Sequence, residues 1–265
     1  MPDLQKNLPN KTIFQNGHFK SLEKLVKSLH LKKYRKQEQL FFVEGEKAVA
    51  ELLQSYYEIL IIFTTKEFLQ KNIIDTDINV EIVNDSDLED IGTFQSNHTC
   101  LAVAKQKQPD FSTLYPTKNI VPVLDNIQDP GNLGTIIRIC DWYGINKVVC
   151  SNDTVDFYNP KVINSSKGSF LRVECLYTDL EIFLEKSKSL NTEIYAMTLK
   201  GEDIYKTSLN FHSIIIVGNE ANGINDEILK YVDREITIPR FGKAESLNAA
   251  VATAVVFDNF FRKNY

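Results

Sequence analysis

The sequence predicts two α/β units in tandem, a small one followed by a larger one built on an open parallel sheet. Short apolar runs of strand length alternate with helix-like stretches along the chain. One run, Ser213-Ile-Ile-Ile-Val217, is apolar almost throughout, as a parallel strand covered on both faces requires. Residues 105–119, KQKQPDFSTLYPTKN, interrupt the alternation with two prolines, many polar side chains and no period. The expected division is a first domain over residues 1–105, a linker over 106–119 and a second domain over 120–265.

In the first unit, Leu22, Leu25, Val26 and Leu29 recur at helical spacing and predict a short amphipathic helix, with the basic run 32–36 following as a loop. Strands are expected at 40–43, 59–63, 80–83 and 100–104. Helices are expected at 46–53 and 67–72, and a third is opened by Ser86-Asp-Leu-Glu89, which reads as a capping box. The second unit has strand candidates at 120–124, 147–150, 193–198, 213–217 and 235–238. A long helix closes the chain, with Leu247, Val251, Ala254 and Phe257 or Phe261 on one face. Open parallel sheets bind ligands beyond the carboxyl ends of their strands, so chemistry is expected in the loops after Leu124, Thr198, Val217 and Ile238.

Composition narrows the class. Of 265 residues, 43% are hydrophobic and 25% charged, which fits a globular protein and not a disordered, collagen-like or disulfide-rich chain. The longest apolar stretch, residues 249–257, is too short to span a membrane, and MPDLQKNLPNK at the N-terminus has no apolar core behind its charges. The four cysteines, Cys100, Cys140, Cys150 and Cys175, are scattered without a C-x-x-C pair. Neither a metal nor a disulfide is expected, and reduced thiols fit a cytoplasmic protein. The net charge of −5 hides an asymmetry: residues 18–36 hold seven Lys or Arg against Glu23, hence +6, and the remainder carries −11. Such a cluster either attracts phosphate or forms a solvated helix face.

Three loops carry candidate chemistry. The first, Asp125-Asn-Ile-Gln-Asp-Pro-Gly-Asn-Leu-Gly-Thr-Ile-Ile-Arg138, holds turn residues at 129–131, a helix opened by Gly134, and Arg138 on its first turns. It fits neither dinucleotide nor P-loop glycine spacing, which weakens an oxidoreductase reading. In the second, Val217-Gly-Asn-Glu-Ala-Asn-Gly-Ile224, a strand runs straight into Gly218, letting the backbone approach a ligand; Glu220 is a functional carboxylate or a surface residue. The third is Ile238-Pro-Arg-Phe-Gly-Lys-Ala-Glu-Ser-Leu-Asn248, where Ser246 could be a helix cap and Asn248 a first-turn residue.

Together the loops resemble the three signature motifs of the SpoU (TrmH-like) branch of the SPOUT RNA methyltransferases. Asp129-Pro130, Asn132, Gly134 and Arg138 match the first motif, Gly218, Glu220 and Gly223 the second, and Ile238-Pro239 with Ser246-Leu247-Asn248 the third. The stretch Asn159-Pro-Lys-Val-Ile-Asn-Ser-Ser-Lys-Gly168 is also similar, and the motifs stand in the family's order over residues 120–265. Departures are small: Ile139 and Cys140 follow Arg138, and Ala249 follows Asn248. Residues 32–45, KKYRKQEQLFFVEG, are similar to the RNA-recruiting domain attached to many members.

The resemblance implies a parallel-sheet domain with a deep trefoil knot, S-adenosylmethionine as cofactor, a homodimer, and 2′-O-methylation of ribose in ribosomal RNA or, less favoured, transfer RNA. It implies catalytic roles for Arg138, Asn132, Glu220, Ser246 and Asn248. Cofactor contacts are expected from Thr198, Gly218, Asn219, Glu220, Ile238, Leu247 and Asn248. RNA contacts are expected from Lys32, Lys33, Tyr34, Arg35, Lys36 and Arg138. In the family the arginine is proposed to act on the 2′-hydroxyl; a guanidinium is a poor base, and a phosphate-holding role is the alternative. A non-catalytic RNA-binding or assembly protein on the same fold is the rival reading, which loss of the motif polar residues would favour; none is lost.

Overall fold

The computed structural model describes residues 16–93, 97–111 and 120–263. By its contacts the chain falls into two units, Met1–Lys107 with Tyr158–Asn164, and Gln108–Phe157 with Ser165–Tyr265. Residues 112–119 of the expected linker lie outside the described residues.

The first unit runs α1 (Asn16–Ser28), α2 (Lys32–Glu38), β1 (Leu40–Glu44), α3 (Glu46–Leu53), β2 (Ile59–Thr64), α4 (Lys66–Lys71), β3 (Asn79–Ile82), α5 (Asp85–Ile91) and β4 (Cys100–Lys105). Its sheet has the order β1-β4-β2-β3, with β4 antiparallel to both neighbours and β2 parallel to β3. Phe42, Phe63, Leu101 and Val103 pack from the sheet against Val26, Leu29, Leu88 and Ile91. Two expectations need correction. The basic run is not a loop but helix α2, made of residues with good helix propensity. The capping box belongs to Asn84 and Asp87, whose side chains and backbone N–H groups bond reciprocally, two residues earlier than the sequence pattern suggested.

The second unit runs β5 (Val121–Leu124), α6 (Pro130–Trp142), β6 (Lys147–Ser151), α7 (Pro160–Ser166, its first five residues grouped with the first unit), β7 (Glu174–Thr178), α8 (Leu180–Ser189), β8 (Glu193–Asp203), β9 (Ser213–Val217), α9 (Asp226–Leu229), β10 (Arg234–Thr237) and α10 (Ala249–Lys263). All six strands are parallel, in the order β10-β8-β9-β5-β6-β7. The central strand β9 is buried along its whole length, as its apolar run requires. Edge strand β7 had no sequence signal, because only Cys175 and Leu176 of its five residues are fully buried.

Helix α10 buries Ala250, Thr253, Val256, Phe257 and Phe260. The expected face is therefore rotated: Leu247 precedes the helix, and both it and Val251 are exposed. Phe257 is common to both faces; with ten of its fifteen residues apolar the helix offers more than one apolar stripe, and the buried one runs through Ala250, Thr253, Phe257 and Phe260.

Candidate active site

From β5 the chain moves to β6 and β7 on one side and then returns to lay β8 to β10 on the other, with β9 beside β5. The loops leaving β5 and β9 diverge at that switch point. After β5, Asp129 caps α6 by accepting the N–H of Asn132 at 2.7 Å, and Pro130 takes the first helical position. The helix thus starts at Pro130, and Gly134 lies buried in its interior instead of opening it. This places Asn132 in the first turn and Arg138 two turns further on.

The loop after β9 is closed on itself. Asn219 and Gly223 exchange two backbone hydrogen bonds of 2.9 Å, and the Asn219 carboxamide oxygen accepts the N–H groups of Ala221 and Asn222. A Cβ on Gly218 would lie 2.5 Å from the Gly223 carbonyl carbon. Gly218 is therefore required by the closure of its own loop, whatever ligand approaches it. The Asn219 amide donates to the carbonyl of Asn126 at 2.8 Å, and the Asp125 carboxylate accepts the Asn225 N–H at 2.8 Å, so two bonds tie this loop to the one after β5. Burial pushes the Asp125 carboxyl above its ordinary range, the Asn225 N–H pulls it back, and Asp153 adds to the rise.

The third loop, residues 240–248, is exposed along its length. Asn248, and not Ser246, caps α10: its side-chain oxygen accepts the N–H groups of Ala250 and Val251 at 3.0 and 3.2 Å. That leaves the Asn248 amide nitrogen to donate to the Asn132 oxygen at 2.7 Å. Asn132 in turn donates to the Glu220 carboxylate at 2.6 Å. The Asn248 oxygen is engaged by the helix, which leaves its amide nitrogen to donate to Asn132 and the Asn132 amide nitrogen to face Glu220. One residue from each loop thus enters a single relay.

A bulge within β8 flanks it. Pairing of β8 with β10 jumps from Ala196↔Glu235 to Glu202↔Ile236, so residues 197–201 leave the ladder. Thr198 donates to the Glu235 carboxylate at 2.8 Å, and Gly201 presses on the Glu235–Ile236 peptide, where a Cβ would come within 2.5 Å. Leu199 is exposed on this bulge and Leu247 on the third loop. Ile238 follows β10 directly and is half-buried.

Two expected catalytic residues stand outside the relay. Arg138 and Ser246 are exposed and make no side-chain hydrogen bond or ion pair among the described residues. In the first unit, Lys32, Lys33 and Lys36 are exposed on α2, and Tyr34 is half-buried with the Lys33 ammonium 5.6 Å from its ring. Arg35 departs from its neighbours. It is 2% exposed and donates to the carbonyls of Leu29 and His30 at 2.7 and 2.9 Å, just beyond α1. It satisfies the orphan carbonyls of a helix end, so the expected RNA contact is replaced by a structural one. Sequence reasoning passed over Asp125, Asn126 and Asn225, which hold the loops together; their only signal was position, two in the first motif loop and Asn225 one residue beyond the second.

The sequence pattern of the SpoU rRNA Methylase family matches residues 119–258, and that of the MRM3-like substrate binding domain matches residues 23–102. The chain is similar to the 23S rRNA (guanosine(2553)-2′-O)-methyltransferase RlmP of Bacillus subtilis, with 30% identity over 87% of this chain and 92% of the relative. A TrmH-family structure from Porphyromonas gingivalis superposes with a TM-score of 0.83 and 31% identity over 95% of this chain and 100% of that one. The AdoMet-bound rRNA methyltransferase from Sinorhizobium meliloti, 23% identical over 92% of this chain and 95% of its own, shares the fold with a TM-score of 0.82. With the motifs, the parallel sheet and a matched segment of this extent in agreement, the chain belongs to the SpoU rRNA methylase family.

Proposed function

We propose that the protein transfers a methyl group from S-adenosylmethionine to a ribose 2′-hydroxyl of ribosomal RNA. The observation that carries this is the relay Asn248–Asn132–Glu220, which joins loops 116 and 88 residues apart in sequence at the carboxyl end of the sheet. The names of the relatives support it: RlmP is a 23S rRNA 2′-O-methyltransferase, and the S. meliloti structure holds AdoMet.

S-adenosylmethionine, when bound, supplies a methyl group on a sulfonium whose departure leaves a neutral thioether. The protein's part is alignment and exclusion of bulk water, the proton of the 2′-hydroxyl being released to solvent as the methyl is transferred. Backbone groups of Gly218, Ile238 and Leu247 hold the cofactor, with Thr198 and Asn219 shaping the loops around it. Asn132, Glu220 and Asn248 keep the loops in register, and Ser246 orients ligand and ribose. Arg138 holds the phosphate beside the target nucleotide and polarises the 2′-hydroxyl, since guanidinium groups stay protonated in proteins. Lys32, Lys33 and Lys36 hold further phosphates. We assign the family's deep trefoil knot to the loops after β8 to β10.

The working form is a homodimer in the cytoplasm. Trp142, 84% exposed, and the exposed Val251 give α6 and α10 apolar surface for a second copy, and the four cysteines are free thiols. No helix among the described residues is long and apolar enough to cross a membrane. Light scattering at micromolar concentration should find twice the 30.3 kDa chain mass; a monomer alone contradicts the dimer.

Labelled S-adenosylmethionine incubated with unmodified ribosomal and transfer RNA, followed by mapping of the methylated ribose, tests the activity directly. Label is expected in ribosomal RNA. RNA binding without transfer to either RNA would favour the non-catalytic reading. S-adenosylmethionine should also raise the melting temperature where NAD does not.

A further inference from the structure

The loop that carries Ser246, Leu247 and Asn248 also presents a large apolar side chain to water. Phe241 is 94% exposed, three residues beyond Ile238 and six before Leu247. A solitary exposed apolar residue needs no explanation on a surface. This one is set apart by its place and neighbours. Its loop ends at Asn248, which is bonded to Asn132 and through it to Glu220. Arg240 precedes the ring and Lys243 follows two residues on; among the described residues the Arg240 side chain bonds only to the Ala244 carbonyl of the same loop, and Lys243 makes no ion pair. Glu245 is the one acid in the loop, so its net charge is +1.

An exposed aromatic ring flanked in sequence by two cations suits a nucleic-acid strand: the ring stacks on a base of any identity, and the cations meet neighbouring phosphates. A phosphate-free apolar partner would leave Arg240 and Lys243 to be desolvated without counter-charge. Resting on the activity proposed above, we propose that Phe241 stacks on an unpaired base of the RNA next to the methylated ribose, with Arg240 and Lys243 on the adjoining phosphates. The ring needs an unpaired base, because a base within an A-form duplex offers its face only to its neighbours in the stack.

The test compares wild type, Phe241→Ala, Phe241→Trp and the double variant Arg240→Gln/Lys243→Gln. Two probes are used, a short adenosine-only RNA strand and the same strand paired with its complement. Phe241→Ala should bind the single strand about 5- to 150-fold more weakly and the duplex as wild type does. Phe241→Trp should keep single-strand affinity and show RNA-induced quenching of emission beyond that of Trp142 in wild type. The Gln double variant should flatten the salt dependence of single-strand binding. Unchanged single-strand affinity in Phe241→Ala overturns the proposal. So does a matching loss of S-adenosylmethionine affinity, which would put the ring against the cofactor, or a change in oligomeric state, which would put it against a second copy. Absence of methyl transfer by wild type would count against the activity alone, since binding and emission still decide the role of Phe241.

Discussion

Arg35 and Arg138 are both arginines within helices beside polar, motif-bearing sequence, and the two units use them in opposite ways. In the first unit, Arg35 is buried and its guanidinium is engaged by carbonyls five and six residues back in the chain. In the second, Arg138 is exposed and stands free of the relay, whose members lie about a hundred residues apart. The difference teaches that a charged residue's role is set by whether the fold offers it a partner close to its own helix. Where a helix end leaves carbonyls unsatisfied, a nearby guanidinium is taken up by them; at the end of α6 the backbone N–H groups of Tyr143, Gly144 and Ile145 take up the last carbonyls, and Arg138 stays free of them.

The largest expected effect comes from removing the free arginine. Arg138→Ala should lower methyl transfer about 10²- to 10³-fold, the range seen when one preorganised donor is lost from a reacting centre. S-adenosylmethionine affinity, measured by calorimetry, should stay within about twofold of wild type. Near-normal turnover in this variant would break the comparison from the functional side. Removing the engaged arginine should act on folding instead. Arg35→Met leaves the Leu29 and His30 carbonyls without their donor, at about 2–4 kcal/mol of stability for buried groups left unpaired. Urea unfolding with an unchanged midpoint would show that Arg35 is replaceable, and the contrast with Arg138 would fail.

The relay offers a finer test. Asn248→Ala should weaken cofactor binding and turnover together, because it removes the α10 cap and the bond to Asn132 in one step. A double-mutant cycle with Asn132→Ala should give a coupling of about 1 kcal/mol, the net worth of one hydrogen bond. Additive effects would mean that the two residues act separately. Full cofactor affinity and full turnover in Asn248→Ala would remove it from the site.

What was legible in the sequence follows the same division between local and distant partners. The first unit's four strands and the second unit's apolar β9 were readable, because burial writes itself into runs of adjacent residues. The motif residues were readable by their order and spacing. Their geometry was not: nothing at Asn132 tells that its amide bonds Glu220 and its oxygen Asn248, since partners this distant are joined only by the sheet's topology. Arg35 failed differently. The run Lys32 to Lys36 reads as one basic patch, but a helix turns each successive side chain by about 100°, so one of five can face inward while three face water. Gly218 reads in the sequence as letting the backbone approach a ligand, and its missing Cβ also makes room for Gly223 of the same loop, which the sequence does not tell.

The smallest expected effect is also the one that most directly measures what the first unit's surface does. With Arg35 set aside as structural, the exposed lysines of α2 are Lys32, Lys33 and Lys36. Phosphate contacts by lysine supply affinity with little base choice, and each phosphate neutralised on a single strand adds about −0.7 to the slope of log affinity against log salt. Changing the three lysines to Gln while keeping Arg35 should therefore flatten that slope by up to about 2 units, with no change in melting temperature and none in cofactor affinity. Tyr34 adds little to the expectation, because its ring is half-buried and already faced by the Lys33 ammonium. A slope that stays as steep as in wild type would make α2 a solvated helix face, and RNA would then be held by other surfaces. A slope that flattens only when Arg35 is also replaced would return Arg35 to the RNA-binding set, and the burial that separates it from Arg138 would have no functional meaning.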